Sequence, residues 1–259
     1  VLFARGHELL ADLGYTHTYL RYSWPATTAA HSTVLVNEQL SDVAPGNLRL
    51  FAPAASEGPS VQVVQANQTR AYAAAGATLY DRTLALVSAD GGDAYLLDIF
   101  RVAGGRQHDY MLQPGPQPQQ KVTFENLAPT PRRGTLAGEN TVYAGGRSGG
   151  SEYERKDWYT YITDIQRAET PDRCACSWQL PDGVGCRATF LGAAGVELFA
   201  GLAPAIHFGE DGKLTSNYDD RALADRMKKP VLCLRRKGLP AEASAKAGEG
   251  LRSTFVTVL

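Results

Sequence analysis

The sequence predicts an all-β protein: an antiparallel β-sandwich built of many strands, with room for a smaller second β domain. Three observations lead there. Apolar residues alternate or form short continuous runs along almost the whole chain, the runs are rich in Val, Thr, Tyr, Phe and Leu, and Gly, Pro, Asp or Asn bounds each of them. Helical periodicity is nearly absent, and no repeat at a fixed period appears, which sets propellers and solenoids aside.

In chain order, the sequence opens on a strand-like Leu2–Leu10 segment. Strands are predicted next over Ser32–Asn37, Asn47–Ala52, Ser60–Gln65, Leu79–Ser88 and Ala94–Val102. Between the last two, Ala89-Asp90-Gly91-Gly92-Asp93 reads as a hairpin turn, because Gly supplies the positive φ that tight connections require. Further strands are predicted over Trp158–Ile165, Arg173–Gln179, Gly185–Leu191, Val196–Gly201, Val231–Arg236 and Leu251–Leu259. Asp219–Lys228 has the pattern of a short amphipathic helix, and Ala241–Ala247 is small and polar enough to be a loop. Pro114–Gln120 carries three prolines and should be extended, whereas Ala144–Ser151 is nearly all Gly and Ser and should be flexible. These segments divide the chain into a β-sheet region over 1–113, a Pro/Gly-rich connection over 114–155 and a C-terminal β region over 156–259. The second β region either builds its own sheet system or packs with the first into one sandwich, and the sequence leaves both arrangements open.

With 259 residues, 44% of them hydrophobic and 20% charged, the chain is long and apolar enough to bury a sizeable core. Its formal net charge of −1 gives no bulk attraction to nucleic acid or to acidic polymers, so an anionic partner needs a local basic patch. Arg21, Arg49 and Arg70 are candidates, and also read as ordinary solvated arginines. No apolar run approaches the roughly 20 residues needed to span a bilayer. The first residue is Val, and no basic-then-apolar leader pattern follows it, so the sequence reads as a fragment whose natural beginning lies upstream. Cys174 and Cys176 sit at i and i+2 of one predicted strand, with Cys186 on the next and Cys233 far away. Buried small hydrophobes, a single disulfide or a thiolate metal site all remain open, though the paired Cys-x-x-Cys spacing of zinc knuckles is absent.

The most informative stretch runs from Leu9 to Gln39, where Asp12-Leu13-Gly14 is followed, after a Tyr/Trp-bearing loop, by Thr28-Ala29-Ala30-His31-Ser32-Thr33-Val34-Leu35-Val36-Asn37. Downstream come Tyr80-Asp81-Arg82-Thr83-Leu84, then Tyr95–Val102, then Gly104-Gly105-Arg106-Gln107-His108-Asp109-Tyr110, and the chain closes on Leu251–Leu259. In order and content these segments resemble the β-domain core of the heparinase II/III-like polysaccharide lyases, with Ser32 and Asn37 departing from the usual Asn and Asp. The resemblance is weakest between about Pro114 and Ser151.

The resemblance implies a place for each segment in a lyase. Its matching Asp and His bind a zinc ion together with a histidine from an upstream segment, so Asp12 and His31 would supply two of the three protein ligands. Taken without the resemblance, an Asp before Gly is a turn former and a His before a strand is a structural residue. His7 and His17 flank Asp12 and are alternative third ligands. With ligands on separate strands, the zinc would brace the sheet beside the substrate cleft, as structural sites do. β-Elimination from a uronic-acid polymer needs neutralisation of the C5 carboxylate, a base for the C5 proton and an acid for the leaving oxygen. The family's acid and base lie largely on an α/α toroid upstream of this segment, so the chain is expected to be inactive alone and to depend on that toroid as a partner. What it adds is one wall of the cleft, for which Tyr15, Tyr19, Arg21, Tyr22 and Trp24 are candidates, since aromatic faces stack on sugars and Arg pairs bidentately with carboxylates. Trp24-Pro25 also reads as a packed loop anchor.

His108-Asp109 carries no known catalytic role and reads as structural. No Gly-x-Ser-x-Gly elbow, Gly-x-Gly-x-x-Gly loop, Walker-type Gly-Lys-Ser/Thr or basic-aromatic RNA-binding pattern is present. The functional expectation is therefore the β-sandwich portion of a periplasmic or secreted lyase acting on an acidic polysaccharide of alginate or glycosaminoglycan type. The competing expectation is a carbohydrate-binding or structural β module without chemistry, which the departures at Ser32 and Asn37 allow.

Overall fold

In this computed structural model the described residues are 1–14, 20, 22–54, 60–88, 94–116, 120–143, 158–205, 225–238 and 250–259. The strands, in chain order, are β1 (Leu2–Ala4), β2 (His7–Leu10), β3 (Val34–Val36), β4 (Asn47–Ala52), β5 (Ser60–Asn67), β6 (Leu79–Ser88), β7 (Ala94–Ala103) and β8 (Gln107–Leu112). They continue with β9 (Val122–Glu125), β10 (Thr130–Pro131), β11 (Thr163–Glu169), β12 (Arg173–Gln179), β13 (Gly185–Leu191), β14 (Glu197–Pro204), β15 (Lys228–Lys237) and β16 (Arg252–Val258). Every pairing among them is antiparallel.

Alternation along β16 shows how the sheets are built: Ser253, Phe255 and Thr257 are buried while Arg252 and Thr254 face solvent. The eight-stranded sheet runs β4-β5-β6-β7-β16-β13-β12-β9, the six-stranded sheet β10-β11-β14-β15-β8-β3, and β1 and β2 form a separate hairpin. Tyr80, Phe100, Cys174, Phe190 and Phe255 from the larger sheet meet Val34, Tyr110, Leu112, Leu198 and Leu232 from the smaller one in a shared core. This is the sandwich predicted by the sequence. Each fully buried Leu or Phe contributes about 1.5–3 kcal/mol of transfer free energy. Both stretches 1–113 and 156–259 supply strands to both sheets, with β8 beside β15 and β7 beside β16. Of the two arrangements left open above, the chain adopts the single interleaved sandwich.

The six-stranded sheet is buried on its other face too. Leu35, Met111, Phe199, Val231 and Cys233 pack there beneath loops that carry Leu13, Leu20, Trp24, Trp158 and Tyr161. This second layer explains one departure from the predicted strands. Trp158–Tyr161 is a 3-10 turn rather than the start of a strand, because Trp158, Tyr159 and Tyr161 all bury against that face instead of alternating, and β11 begins only at Thr163. The helix predicted over 219–228 falls mainly outside the described residues, and β15 already begins at Lys228. The expected turn at 89–93 also lies outside them, but Ser88 pairs with Ala94, so β6 and β7 are hairpin partners. The segments 144–151 and 241–247 are likewise outside, as are 117–119 of the proline-rich stretch.

The chain passes from the larger sheet to the smaller through Gly104-Gly105-Arg106, between β7 and β8. Gly104 has φ +97°, and a Cβ there would collide with the Gly76 carbonyl, so only glycine fits. The four cysteines are free and buried. Cys174 and Cys176 share the inward face that their spacing predicts, and burial pushes the Cys174 thiol up to about 11 and the Cys186 thiol up to about 12. They act as small hydrophobes, with no disulfide among them.

His108 is completely buried: Nε2 donates to the Gly104 carbonyl at 2.6 Å, which leaves Nδ1 to accept from the Ser253 hydroxyl at 2.7 Å. Burial lowers its pKa, against the opposing pull of the Gly104 carbonyl. In the unfolded chain the imidazole titrates at about 6.5. As pH falls through that value the unfolded state takes up a proton that the folded state refuses, so stability drops toward acid. Urea unfolding at pH 7 and pH 5 should show this loss, and His108→Gln, which cannot titrate, should show a smaller one.

Candidate metal and cleft site

The chain leaves β2 at Leu10, and the Ala11 N–H donates to the Gln113 carbonyl at 2.8 Å, which pins the start of the next loop to the end of β8. Asp12 then closes a turn on itself: its Oδ1 accepts the Gly14 N–H at 2.8 Å, and Gly14 sits at φ +56°. The Asp12 N–H donates to Glu8 Oε1 at 3.1 Å. With Oδ1 used in the turn, Oδ2 faces His31 Nδ1 at 3.3 Å. The two side chains are 41% and 37% exposed, so the pair is reachable from solvent.

His31 lies where the 3-10 turn Thr28–Ala30 runs into β3. The segment around it is fixed from several sides. Arg82 Nη1 donates to the Ser32 carbonyl at 2.8 Å, the Tyr80 hydroxyl to the Val34 carbonyl at 2.6 Å, and Gln113 Nε2 to the Ala29 carbonyl at 2.9 Å. Arg82 is itself held by the Asp98 carboxylate through Nε at 3.0 Å and Nη2 at 2.7 Å, and Asp98 takes a third hydrogen bond from the Tyr110 hydroxyl at 2.7 Å. Burial, then the Asp98 carboxylate, push the Tyr110 phenol well above its ordinary value, so it remains a donor. The two departures from the family pattern are both bonded: Ser32 Oγ accepts the Gln113 N–H at 3.1 Å, and Asn37 Oδ1 accepts the Arg106 and Gln107 N–H groups at 2.7 and 3.2 Å.

The fold thus brings Asp12 and His31 together. It does not bring His7 to them, since His7 Nε2 contacts Asp182 Oδ2 at 2.8 Å. Tyr15, His17, Tyr19 and Arg21 lie outside the described residues. Tyr22 is exposed at the mouth of this loop, whereas Trp24 is fully buried, donates from Nε1 to the Pro204 carbonyl at 3.1 Å and stacks on Tyr161 with centroids 6.1 Å apart. In this structure Trp24 is the packed anchor of the loop. Arg49 and Arg70 are exposed on β4 and on the 3-10 turn Thr69–Tyr72, apart in the sequence and on different elements.

Two buried features stand out: Asp109, which lies in the Gly104–Tyr110 block and reads as structural in the sequence, and Lys229, which carries no motif. Asp109, on the loop-covered face of the six-stranded sheet, binds Arg235 bidentately at 2.8 and 2.9 Å and accepts from the Tyr159 hydroxyl at 2.6 Å and Gln107 Nε2 at 2.9 Å. Lys229 is also fully buried, with Nζ donating to Gln113 Oε1 at 2.6 Å and, at longer range, to the Pro114 and Pro230 carbonyls at 3.4 and 3.3 Å. Burial holds its pKa down to about 7, with the Glu8 carboxylate opposing. A cavity of about 480 Å³ lies elsewhere, lined by residues of β9, β11, β14 and β15, none of which belongs to the Asp12 and His31 pair.

In donor type and access the pair suits a divalent cation, offering one carboxylate oxygen and one imidazole nitrogen. Among the described residues no third His, Cys, Asp or Glu completes such a group. No described helix is long and apolar enough to cross a membrane.

Comparison with known proteins gives a family and a fold. The heparinase II/III-like C-terminal family matches residues 1–169. Among solved structures, a heparinase III with methylated lysines superposes with a TM-score of 0.50 at 11% identity, over 99% of this chain and 28% of its own. A heparan sulfate lyase, HepC, from Pedobacter heparinus gives a TM-score of 0.43 at 14% identity, over 99% of this chain and 29% of its own. The chain therefore spans under a third of the length of these structures. No curated protein matches it.

Proposed function

Because the chain belongs to the heparinase II/III-like family through its C-terminal domain, we propose that it is the β-sandwich portion of a polysaccharide lyase. The enzyme cleaves uronic-acid-containing glycans, of glycosaminoglycan or alginate type, by β-elimination. The observation that carries this reading within the fold is the meeting of Asp12 Oδ2 and His31 Nδ1 at 3.3 Å, on two loops that the family pattern pairs.

Asp12 and His31 hold a zinc ion, with the remaining ligand from outside the described residues. The ion, when bound, supplies a fixed double positive charge that ties the two loops together beside the cleft. Asp12 offers Oδ2 and keeps Oδ1 in its own turn, so the carboxylate is oriented before any cation arrives. Tyr22 is the described candidate for the sugar-facing wall, Tyr19 and Arg21 are the further candidates by sequence, and Trp24 anchors its segment to Pro204. Arg21 pairs with the uronate carboxylate and the aromatic rings stack on the sugar faces. The base that removes the C5 proton and the acid that protonates the leaving oxygen come mainly from the upstream toroid, so this chain alone is inactive. Such an enzyme works in the periplasm or outside the cell, where its polymer is found.

The test is incubation of the full-length protein with heparan sulfate, heparin, hyaluronan, chondroitin and alginate, following the ultraviolet absorbance of the unsaturated uronic product. Product from at least one polymer is expected. A folded protein that releases product from none would favour a carbohydrate-binding module without chemistry.

A further inference from the structure

Gln113, the residue that follows β8, is completely buried and uses all four of its hydrogen-bonding groups in separate directions. Its backbone carbonyl accepts from Ala11, the neighbour of Asp12, at 2.8 Å. Its backbone N–H donates to Ser32 Oγ at 3.1 Å, and its side-chain NH₂ to the Ala29 carbonyl at 2.9 Å, on either side of His31. Its side-chain carbonyl accepts from Lys229 Nζ at 2.6 Å. One residue therefore holds both loops of the pair.

The carboxamide has two ends of similar shape, and a buried amide takes the orientation that its partners dictate. The partners dictate it here: the Ala29 carbonyl can only accept, so Nε2 must face it, and Oε1 is left to accept from Lys229 Nζ. Lys229 reaches this point from β15, on the opposite side of β8 from β3, so the strand order of the six-stranded sheet places it beneath both loops. Among the described residues no carboxylate is in hydrogen-bond contact with Lys229, and three neutral oxygen partners offset the cost of burying it.

We infer that Gln113 and Lys229 are positioning residues for the Asp12 and His31 pair, Lys229 fixing the Gln113 carboxamide and Gln113 holding in register the two loops that carry the metal ligands. This rests on the metal reading of the pair given above. Outer partners bonded directly to a metal ligand typically alter affinity by about 10- to 100-fold when removed, and Gln113, which bonds the ligands' neighbours Ala11, Ala29 and Ser32, acts at the lower end of that range.

The experiment uses the full-length protein and Co²⁺ as the probe, titrated by its visible absorption, beside the carbon-bound ring signals of His31 in histidine-labelled protein. Gln113→Met, which keeps the backbone bonds to Ala11 and Ser32 and loses the side-chain bond to Ala29, should weaken Co²⁺ binding by about 10-fold and shift the His31 signals in the metal-free protein. Replacing both partners of a buried hydrogen bond by apolar groups is far less costly to folding than replacing one. The Gln113→Met/Lys229→Met pair should therefore regain stability over either single change, while its Co²⁺ affinity and His31 signals stay altered. Gln113→Glu, which keeps the Lys229 contact but loses the donor to Ala29, should shift His31 as well. A double variant that folds with unchanged affinity and unchanged His31 signals would overturn the inference. If the unaltered protein binds no Co²⁺ that Asp12→Ala removes, the metal reading fails, and the His31 signals alone decide whether Gln113 and Lys229 position the pair.

Discussion

Arg235→Met unfolds at a markedly lower urea concentration than the unaltered protein, with a loss of about 3–5 kcal/mol, because it leaves an uncompensated charge in the interior. Asp109 has no solvent exposure and Arg235 only 5%. Burial opposes the charge on Arg235, yet Asp109, with Cys233 and Tyr159 beside it, outweighs that cost and holds the guanidinium pKa above its ordinary value. Once Arg235 is gone, the donors on Tyr159 and Gln107 still reach the Asp109 carboxylate, but no cation balances it. Most domains are stable by only about 5–15 kcal/mol, so this is a large share of the total. The Asp109→Leu/Arg235→Met pair should recover much of the loss, since removing both charges removes the desolvation cost along with the attraction. A single variant as stable as the unaltered protein would show that the buried pair contributes little.

Strands rich in β-formers and bounded by turn residues were the most legible part of the chain. β4, β6, β12 and β13 lie where the alternation and turn residues put them. β8 was not read as a strand, although its Gly-Gly-Arg-Gln-His-Asp-Tyr block stood out, because Gln-His-Asp-Tyr-Met-Leu neither alternates nor forms an apolar run. The reason is the second covered face: His108, Tyr110 and Leu112 turn toward one layer and Asp109 and Met111 toward the other, so polar residues are buried on partners from β15 and β16 that no local pattern reveals. Trp158–Ile165 misled for the same cause, its aromatic density reflecting burial under the sheet rather than a strand.

The candidate site was legible through resemblance alone. Asp12 and His31 as residue types mark a turn and a strand entry, and only the family pattern singled them out together. Arg82 and Asp98 lay in the same pattern without a role, and their ion pair at 2.7 Å turns out to brace Ser32, next to His31. Gln113 and Lys229 offered no signal, since a Gln before a proline and a Lys at the start of a strand look like surface residues. Trp24, read both as a sugar platform and as a loop anchor, is fully buried, which a Trp-Pro dipeptide does not reveal by itself.

Asp12→Ala/His31→Ala in the full-length protein should abolish zinc retention and slow polymer cleavage by more than the roughly 10- to 100-fold that loss of an outer partner of a metal ligand costs. Both side chains are about two-fifths exposed and neither belongs to the core, so the double variant should fold with near-normal stability. That separation matters, because a fall in rate then reports on the cleft and not on unfolding. On the proposed reading zinc and rate should fall together, since a cation held by the pair would tie the two loops to each other.

The rate at which this variant forms unsaturated uronic product, set against that of the unaltered full-length protein on the polymer from which the latter releases most product, is the most direct measurement of the proposed lyase role. A large loss of rate in a folded, zinc-depleted variant is expected. A folded variant that cleaves at the unaltered rate would contradict a role for the Asp12 and His31 pair in the lyase site.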